Sequence, residues 1–148
     1  MVEAESLLNE ASTEVQPGLG EDCYAAVDLG SNSFHLVISR YIHGEFIVLD
    51  RQREVVRLAA GLDDDGMLTE EAAERALACL SRFGQLVRHI PRNNLRAVGT
   101  NALRRLRDKK GFLERAESAL GHRREIIAGR EAVAYTHLRA HETFANRV

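Results

Sequence analysis

Asp28 closes an apolar run, and Gly30-Ser31-Asn32-Ser33 follows it before a second apolar run begins at Phe34. The hydroxyl and amide side chains of such a string donate hydrogen bonds, and a glycine without a Cβ lets a ligand approach the chain closely. Successive backbone N–H groups in a tight turn form a concavity suited to an anion. A carboxylate beside that loop would repel a bare phosphate, so Asp28 suggests a metal ion as well, with Mg²⁺ the usual companion of phosphate. Taken alone, Gly-Ser-Asn favours an ordinary β-hairpin turn. Asp28 at the end of a buried strand tips the whole string towards a phosphate site, because an isolated buried carboxylate is costly.

A second candidate lies at Thr100 and Arg104. A strand ending in Gly99-Thr100 and feeding a helix offers free N–H groups and a positive dipole end to phosphate. Arg104, four residues on, falls on the same helical face and can fork onto phosphate oxygens. The same residues also fit a plain capped helix with a surface arginine. Other constellations carry less. Asp63-Asp64-Asp65 lacks the alternation and the downstream Glu of a calcium loop and reads as a solvated turn. His137 and His141 are four apart, without the Glu between them that a zinc-protease helix needs. Cys23 and Cys79 have no metal-type spacing and suggest reduced thiols in a cytoplasmic protein.

The elements that must position these residues follow an α/β order. Residues 24–29 and 34–41 read as strands joined by the polar turn. His43-Gly44 is a turn signal, and residues 45–53 form a third strand with Phe46, Val48 and Asp50 alternating against Ile47 and Leu49. Thr69 caps a helix whose apolar face runs Ala73, Ala76, Leu77, Leu80, Phe83, Gly84, Val87 and Ile90, with Cys79 packing beside it and Pro91 ending it. Residues 95–99 form a short strand. Phe112, Leu113, Ala116 and Leu120 mark another helix closed by Gly121, and residues 125–128 a further strand. Hairpin-joined strands followed by alternating helices and strands are the order of one α/β domain.

The net charge of −2 conceals an asymmetry: residues 1–22 contribute −6 and the rest of the chain +4. Residues 1–22 read as an acidic disordered extension. Eleven Lys and Arg lie between Arg88 and Arg124 against only Asp108, Glu114 and Glu117, a balance that steers polyanions or simply solvates helix surfaces. No secretory signal is visible, and no apolar run approaches the length of a membrane span, so stable membrane insertion is not expected.

Asp28-Leu29-Gly30-Ser31-Asn32-Ser33-Phe34-His35 resembles the first phosphate loop of the exopolyphosphatase / guanosine pentaphosphate phosphohydrolase (Ppx/GppA) family. Val98-Gly99-Thr100-Asn101-Ala102-Leu103-Arg104 is similar to the family's second motif, and Glu125-Ile126-Ile127-Ala128-Gly129-Arg130-Glu131 to its third. The resemblance covers residues 23–131. It implies the N-terminal half of an actin-like ATPase domain pair (sugar kinase/actin superfamily, ribonuclease H-like). It further implies hydrolysis of terminal phosphates of polyphosphate, or of guanosine pentaphosphate to tetraphosphate, with Mg²⁺, by a cytoplasmic protein that dimerises when full length and takes no nucleic acid. Gly30, Ser31, Asn32 and Ser33 would then cradle the terminal phosphate, Thr100 and Arg104 a neighbouring one, and Asp28 would help hold Mg²⁺.

The family's third motif has a second Glu as water-activating base, where this chain has Ala132. That leaves Glu131 as the remaining carboxylate, able to serve as base only if the register slips by one. The departure keeps open a non-catalytic polyphosphate- or alarmone-binding module, beside an actin-like nucleotide-binding ATPase or kinase. Residues 132–148 do not resemble the family helix; they resemble a translated sequencing-adapter read, and the expectation is that native sequence ends near Glu131.

Overall fold

The computed structural model describes residues 21–121 and the strand Ile126–Ala128. Most of the acidic leader, Glu131, Ala132, the His137/His141 pair and all of residues 132–148 lie outside the described residues. Five strands, β1 Cys23–Leu29, β2 Ser33–Ile42, β3 Glu45–Val55, β4 Leu95–Gly99 and β5 Ile126–Ala128, form one sheet in the order β3-β2-β1-β4-β5. The first three are joined as antiparallel hairpins, whereas β4 runs parallel to β1 and β5 parallel to β4.

Period-2 patterning gives the sheet one apolar face. Cys23, Ala25, Val27 and Leu29 of β1 are buried, as are Phe34, Leu36 and Ile38 of β2 and Leu95 and Ala97 of β4. Against this face packs α1, Glu70–Val87, with Ala73, Ala76, Cys79, Leu80, Phe83 and Val87 turned inward. Full burial of one such Leu or Phe is worth about 1.5–3 kcal/mol. The Thr69 hydroxyl accepts the Ala72 N–H at 3.2 Å, and Glu70 and Glu71 occupy the first turn, where the helix dipole favours carboxylates. The helix stops at Val87, short of Pro91; Ile90 follows in a turn and still reaches the core.

Beyond β4 the chain makes two separate helices, α2 Asn101–Arg105 and α3 Lys109–Leu120. Asp108 caps α3 by accepting the Gly111 N–H at 3.1 Å, and Gly121 closes it in a left-handed conformation, as its position predicts. A Cβ on Gly84 would come 2.7 Å from the Leu120 carbonyl oxygen, so α1 and α3 meet there at backbone distance.

Two expectations change. The third strand runs on to Val55, and its alternation breaks at a bulge: Ile38 pairs with Asp50 but Ser39 with Val48, leaving Leu49 unpaired in the ladder. Phe46 and Val48 therefore share a face with Tyr41 and Ser39, while Asp50, Gln52 and Glu54 lie on the helix side. Asp28, in turn, is not buried. Burial on β1 falls on the odd-numbered positions, which leaves Ala26 and Asp28 exposed on the other face. Among the described residues no helix is long and apolar enough to cross a membrane.

Candidate phosphate site

The sheet register brings the motifs to one rim. Leu29, the last residue of β1, lies beside Gly99, the last of β4, and Gly99 lies beside Ala128, the last of β5. The first loop, Thr100 and the β5 residues of the third motif thus meet side by side at the carboxyl ends of parallel strands. In open α/β sheets that is the edge where ligands bind. The Thr100 N–H reaches the Leu29 carbonyl at 3.4 Å, tying the second motif to the first.

Within the loop the Gly30 N–H donates to the Ser33 carbonyl at 3.2 Å, and a Cβ on Gly30 would stand 2.7 Å from that same oxygen. Gly30 is therefore required by close packing of the turn on itself. Its φ is not left-handed, in contrast to Gly44, Gly66 and Gly121. The loop carbonyls are tied back by the chain that follows β3. Ser31 O accepts the Ala59 N–H at 3.0 Å, and Asn32 O accepts the N–H groups of Val56 and Arg57 at 2.9 and 2.8 Å. With the carbonyls drawn to one side, the amides of Ser31 and Asn32 have no partner among the described residues. The Asn32 N–H shares a peptide plane with the Ser31 carbonyl and so points away from the brace, and unpaired N–H groups of a turn make an anion seat. Asn32 is exposed and Ser31 half-buried, whereas Ser33 is only 7% exposed and lies within 3.5 Å of the Asn32 amide nitrogen.

Asp28 sits at the rim in a lateral row with His35 and Arg53: it pairs across the ladder with His35, and His35 with Arg53. All three are exposed. Although the Asp28 residue reaches solvent, atoms around its carboxyl displace enough water to push its pKa above the ordinary value, and the His35 charge works in the opposite direction. An acid held above its unfolded pKa costs the fold nothing below that unfolded value, where both states are protonated; the penalty grows from there as pH rises through the folded value. Asp28→Asn is accordingly expected to raise the melting temperature by about 1–2 °C at neutral pH, a small gain because the group is partly solvated. The gain should vanish below about pH 3, where the carboxyl is protonated in both states. Thermal melts of both chains at the two pH values check this, and an equal gain at both would assign the effect to packing.

Among the described residues no group of three or more His, Cys, Asp or Glu is placed to enclose a metal. One carboxylate beside a phosphate seat still fits Mg²⁺, which keeps several waters and is commonly held by one or two carboxylates plus substrate phosphates. At the second motif, Thr100 precedes α2 without making a side-chain cap bond. With five residues, α2 carries little of the dipole that a longer helix would direct at an anion. Arg104 is exposed and has no ion-pair partner among the described residues, so its guanidinium is available. Cys79 is a packing residue: it is fully buried, and burial, followed by its hydrogen bond with Glu54, pushes the thiol far up and keeps it protonated. Glu54 in turn pairs with Arg82. The part played by Val56, Arg57 and Ala59 has no sequence signal, because they act through backbone N–H groups.

The profile of the Ppx/GppA phosphatase family matches residues 37–148. A guanosine-5′-triphosphate,3′-diphosphate pyrophosphatase of Pseudoalteromonas atlantica is 42% identical over 136 residues, covering 92% of this chain and 27% of the relative. Its counterpart from Vibrio atlanticus is 45% identical over 111 residues, 75% of this chain and 22% of the relative. Among solved structures, the Ppx/GppA family member of Aquifex aeolicus superposes with a TM-score of 0.64 at 25% identity, covering 74% of this chain and 36% of that one. An exopolyphosphatase from Cytophaga hutchinsonii gives 0.65 at 28% identity, covering 72% and 34%. The chain belongs to the Ppx/GppA phosphatase family. Its fold is the N-terminal part of the actin-like architecture of those structures, as the motifs imply. The chain spans about a quarter of the length of these curated relatives, and the match to the family profile includes residues 132–148.

Proposed function

We propose that this chain is the phosphate-binding domain of a phosphoanhydride hydrolase that removes the terminal phosphate of polyphosphate or of guanosine pentaphosphate. The observation that carries the reading is the convergence at one rim of Gly30-Ser31-Asn32-Ser33, Thr100 and the end of β5, with the Ser31 and Asn32 amides unpaired among the described residues. In this reading those amides and the Asn32 side chain hold the terminal phosphate, and Ser33 keeps the turn closed on Gly30. Arg104 takes a neighbouring phosphate and offsets charge that develops as water attacks phosphorus in line, a reaction driven mostly by positioning and charge neutralisation. Asp28 is the residue that would hold Mg²⁺, largely through water; the ion supplies charge neutralisation on the phosphate oxygens when bound. Cys23 and Cys79 are buried and not joined in a disulfide, which agrees with a reducing, cytoplasmic setting.

Calorimetric titration with tripolyphosphate in the presence of Mg²⁺ tests the reading. Affinity should fall steeply with salt, since neutralising a polyanion releases its counterions. Arg104→Ala should weaken binding about tenfold, the loss of one charge-assisted phosphate contact. Arg115→Ala should weaken it less than about twofold, because Arg115 already pairs with Glu70 at 2.6 Å on the exposed helix surface. Equal losses at the two positions would indicate diffuse attraction and no seat at the second motif. Ala132, where the family has its second Glu, favours a second reading, a domain that binds the polyanion without turning it over. Phosphate release appearing in Ala132→Glu but not in the unsubstituted chain would support it.

A further inference from the structure

Arg75 lies in the first half of α1, remote in sequence from every motif, yet its guanidinium reaches the chain that braces the phosphate loop. Its Nε donates to the Val56 carbonyl at 3.0 Å and its Nη2 to the Arg57 carbonyl at 3.4 Å, while Nη1 stands 3.7 Å from the Glu71 carboxylate one helical turn back. One of the two peptide groups it grips, Val56–Arg57, carries on its other edge the Arg57 N–H that holds Asn32 O together with the Val56 N–H just before it, and the Ala59 N–H holds Ser31 O two residues on. Between grip and loop sits Arg57, with φ at 55°, a left-handed backbone that a long side chain seldom adopts and that persists only where its surroundings enforce it. The hairpin turn does not need this conformation, since Gly30 and Ser33 already close it by their own hydrogen bond.

We propose that Arg75 is a positioning residue for phosphate binding: it clamps residues 56–59 in the strained path that draws the Ser31 and Asn32 carbonyls aside and so, through the peptide planes they belong to, fixes the direction of the loop amides that face the ligand. The proposal rests on the reading of Gly30-Ser31-Asn32-Ser33 as a phosphate seat, and deepens it by coupling that seat to α1. Without the clamp, Arg57 relaxes from the left-handed region, Val56 and Arg57 let go of Asn32 O, and the loop amides lose their fixed direction. A lysine at position 75 has one donor centre in place of a fork and replaces only part of the grip.

Amide hydrogen exchange followed by NMR, with tripolyphosphate titration alongside, decides the matter on the full chain. Arg75→Ala should leave unfolding cooperative and speed exchange at Val56, Arg57 and Ala59 about tenfold, with core strand amides unchanged. Tripolyphosphate affinity should drop about three- to tenfold, and Arg75→Lys should fall between the two chains. Adding Arg57→Gly to Arg75→Ala should recover about fivefold of the lost protection, because glycine takes the left-handed backbone without strain. Unchanged exchange in Arg75→Ala, faster exchange with unchanged affinity, or no recovery with Arg57→Gly would each overturn the clamp. An unsubstituted chain that binds no tripolyphosphate overturns the phosphate reading and the clamp's role in binding together. That result is distinguishable from failure of the clamp alone, in which the unsubstituted chain still binds.

Discussion

Gly30→Val is expected to abolish tripolyphosphate binding while the domain still unfolds cooperatively. The added Cβ alone would stand 2.7 Å from the Ser33 carbonyl oxygen, and that oxygen is backbone, so the turn itself must open. Opening it breaks the 3.2 Å bond from the Gly30 N–H and shifts the Ser31 and Asn32 carbonyls from the N–H groups of Val56, Arg57 and Ala59. Binding should become undetectable by calorimetry, a loss of at least about a hundredfold, because the seat's donors no longer converge. The core beneath is untouched, since Leu29 and Phe34 keep their pairing on either side of the loop. Retained affinity in a folded Gly30→Val chain would reduce this turn to a hairpin connection.

Leu80→Ala should destabilise the domain by about 2–5 kcal/mol, a large share of what a domain of this size possesses. Leu80 is fully buried against the sheet among Phe83, Ala76 and the strand residues, and truncation leaves a void that close-packed neighbours fill only in part. Leu86, on the same helix and 40% exposed, is the control: Leu86→Ala should cost less than about 1 kcal/mol. Urea unfolding of the two variants measures the difference, and similar costs at both positions would mean that α1 is seated in a rotation other than the one described.

Much of this fold was legible from periodicity. The inward stripe of α1, the cap at Thr69 and the stop at Gly121 follow from residue types that leave little choice. The chain also read correctly as strand, turn, strand around Gly30. What escaped was anything set by pairing across the sheet. The bulge at Leu49 inverts the facing of β3 and depends on the register with β2, which no local pattern carries. The argument from a buried Asp28 failed for the same reason. Its neighbour Leu29 takes the inward position, and a carboxylate on the outer face is not costly enough to imply a ligand. The convergence of the motif ends supplies the support that Asp28 did not. The left-handed Arg57 and the reach of Arg75 across 18 or 19 positions are tertiary facts, invisible to spacing or propensity.

The strand register also gives the sheet two unlike margins. At one lie the 30–33 turn, the 56–59 segment, Thr100 and the end of β5; at the other lie the His43-Gly44 hairpin, the Arg92–Asn94 turn and the start of β1, where Asn94 binds the Cys23 carbonyl at 3.0 Å. Residues added or removed at the second margin lengthen a connection that no motif uses, since the ladder between the margins fixes where each strand ends. At the first margin a single inserted residue displaces one donor set relative to the others by a full residue rise, about 3.3 Å, which is more than a hydrogen bond can span. Length drift among relatives should therefore be confined to the hairpin and Asn94 side, and that side is where a tag or a fused partner can be attached without disturbing the phosphate seat.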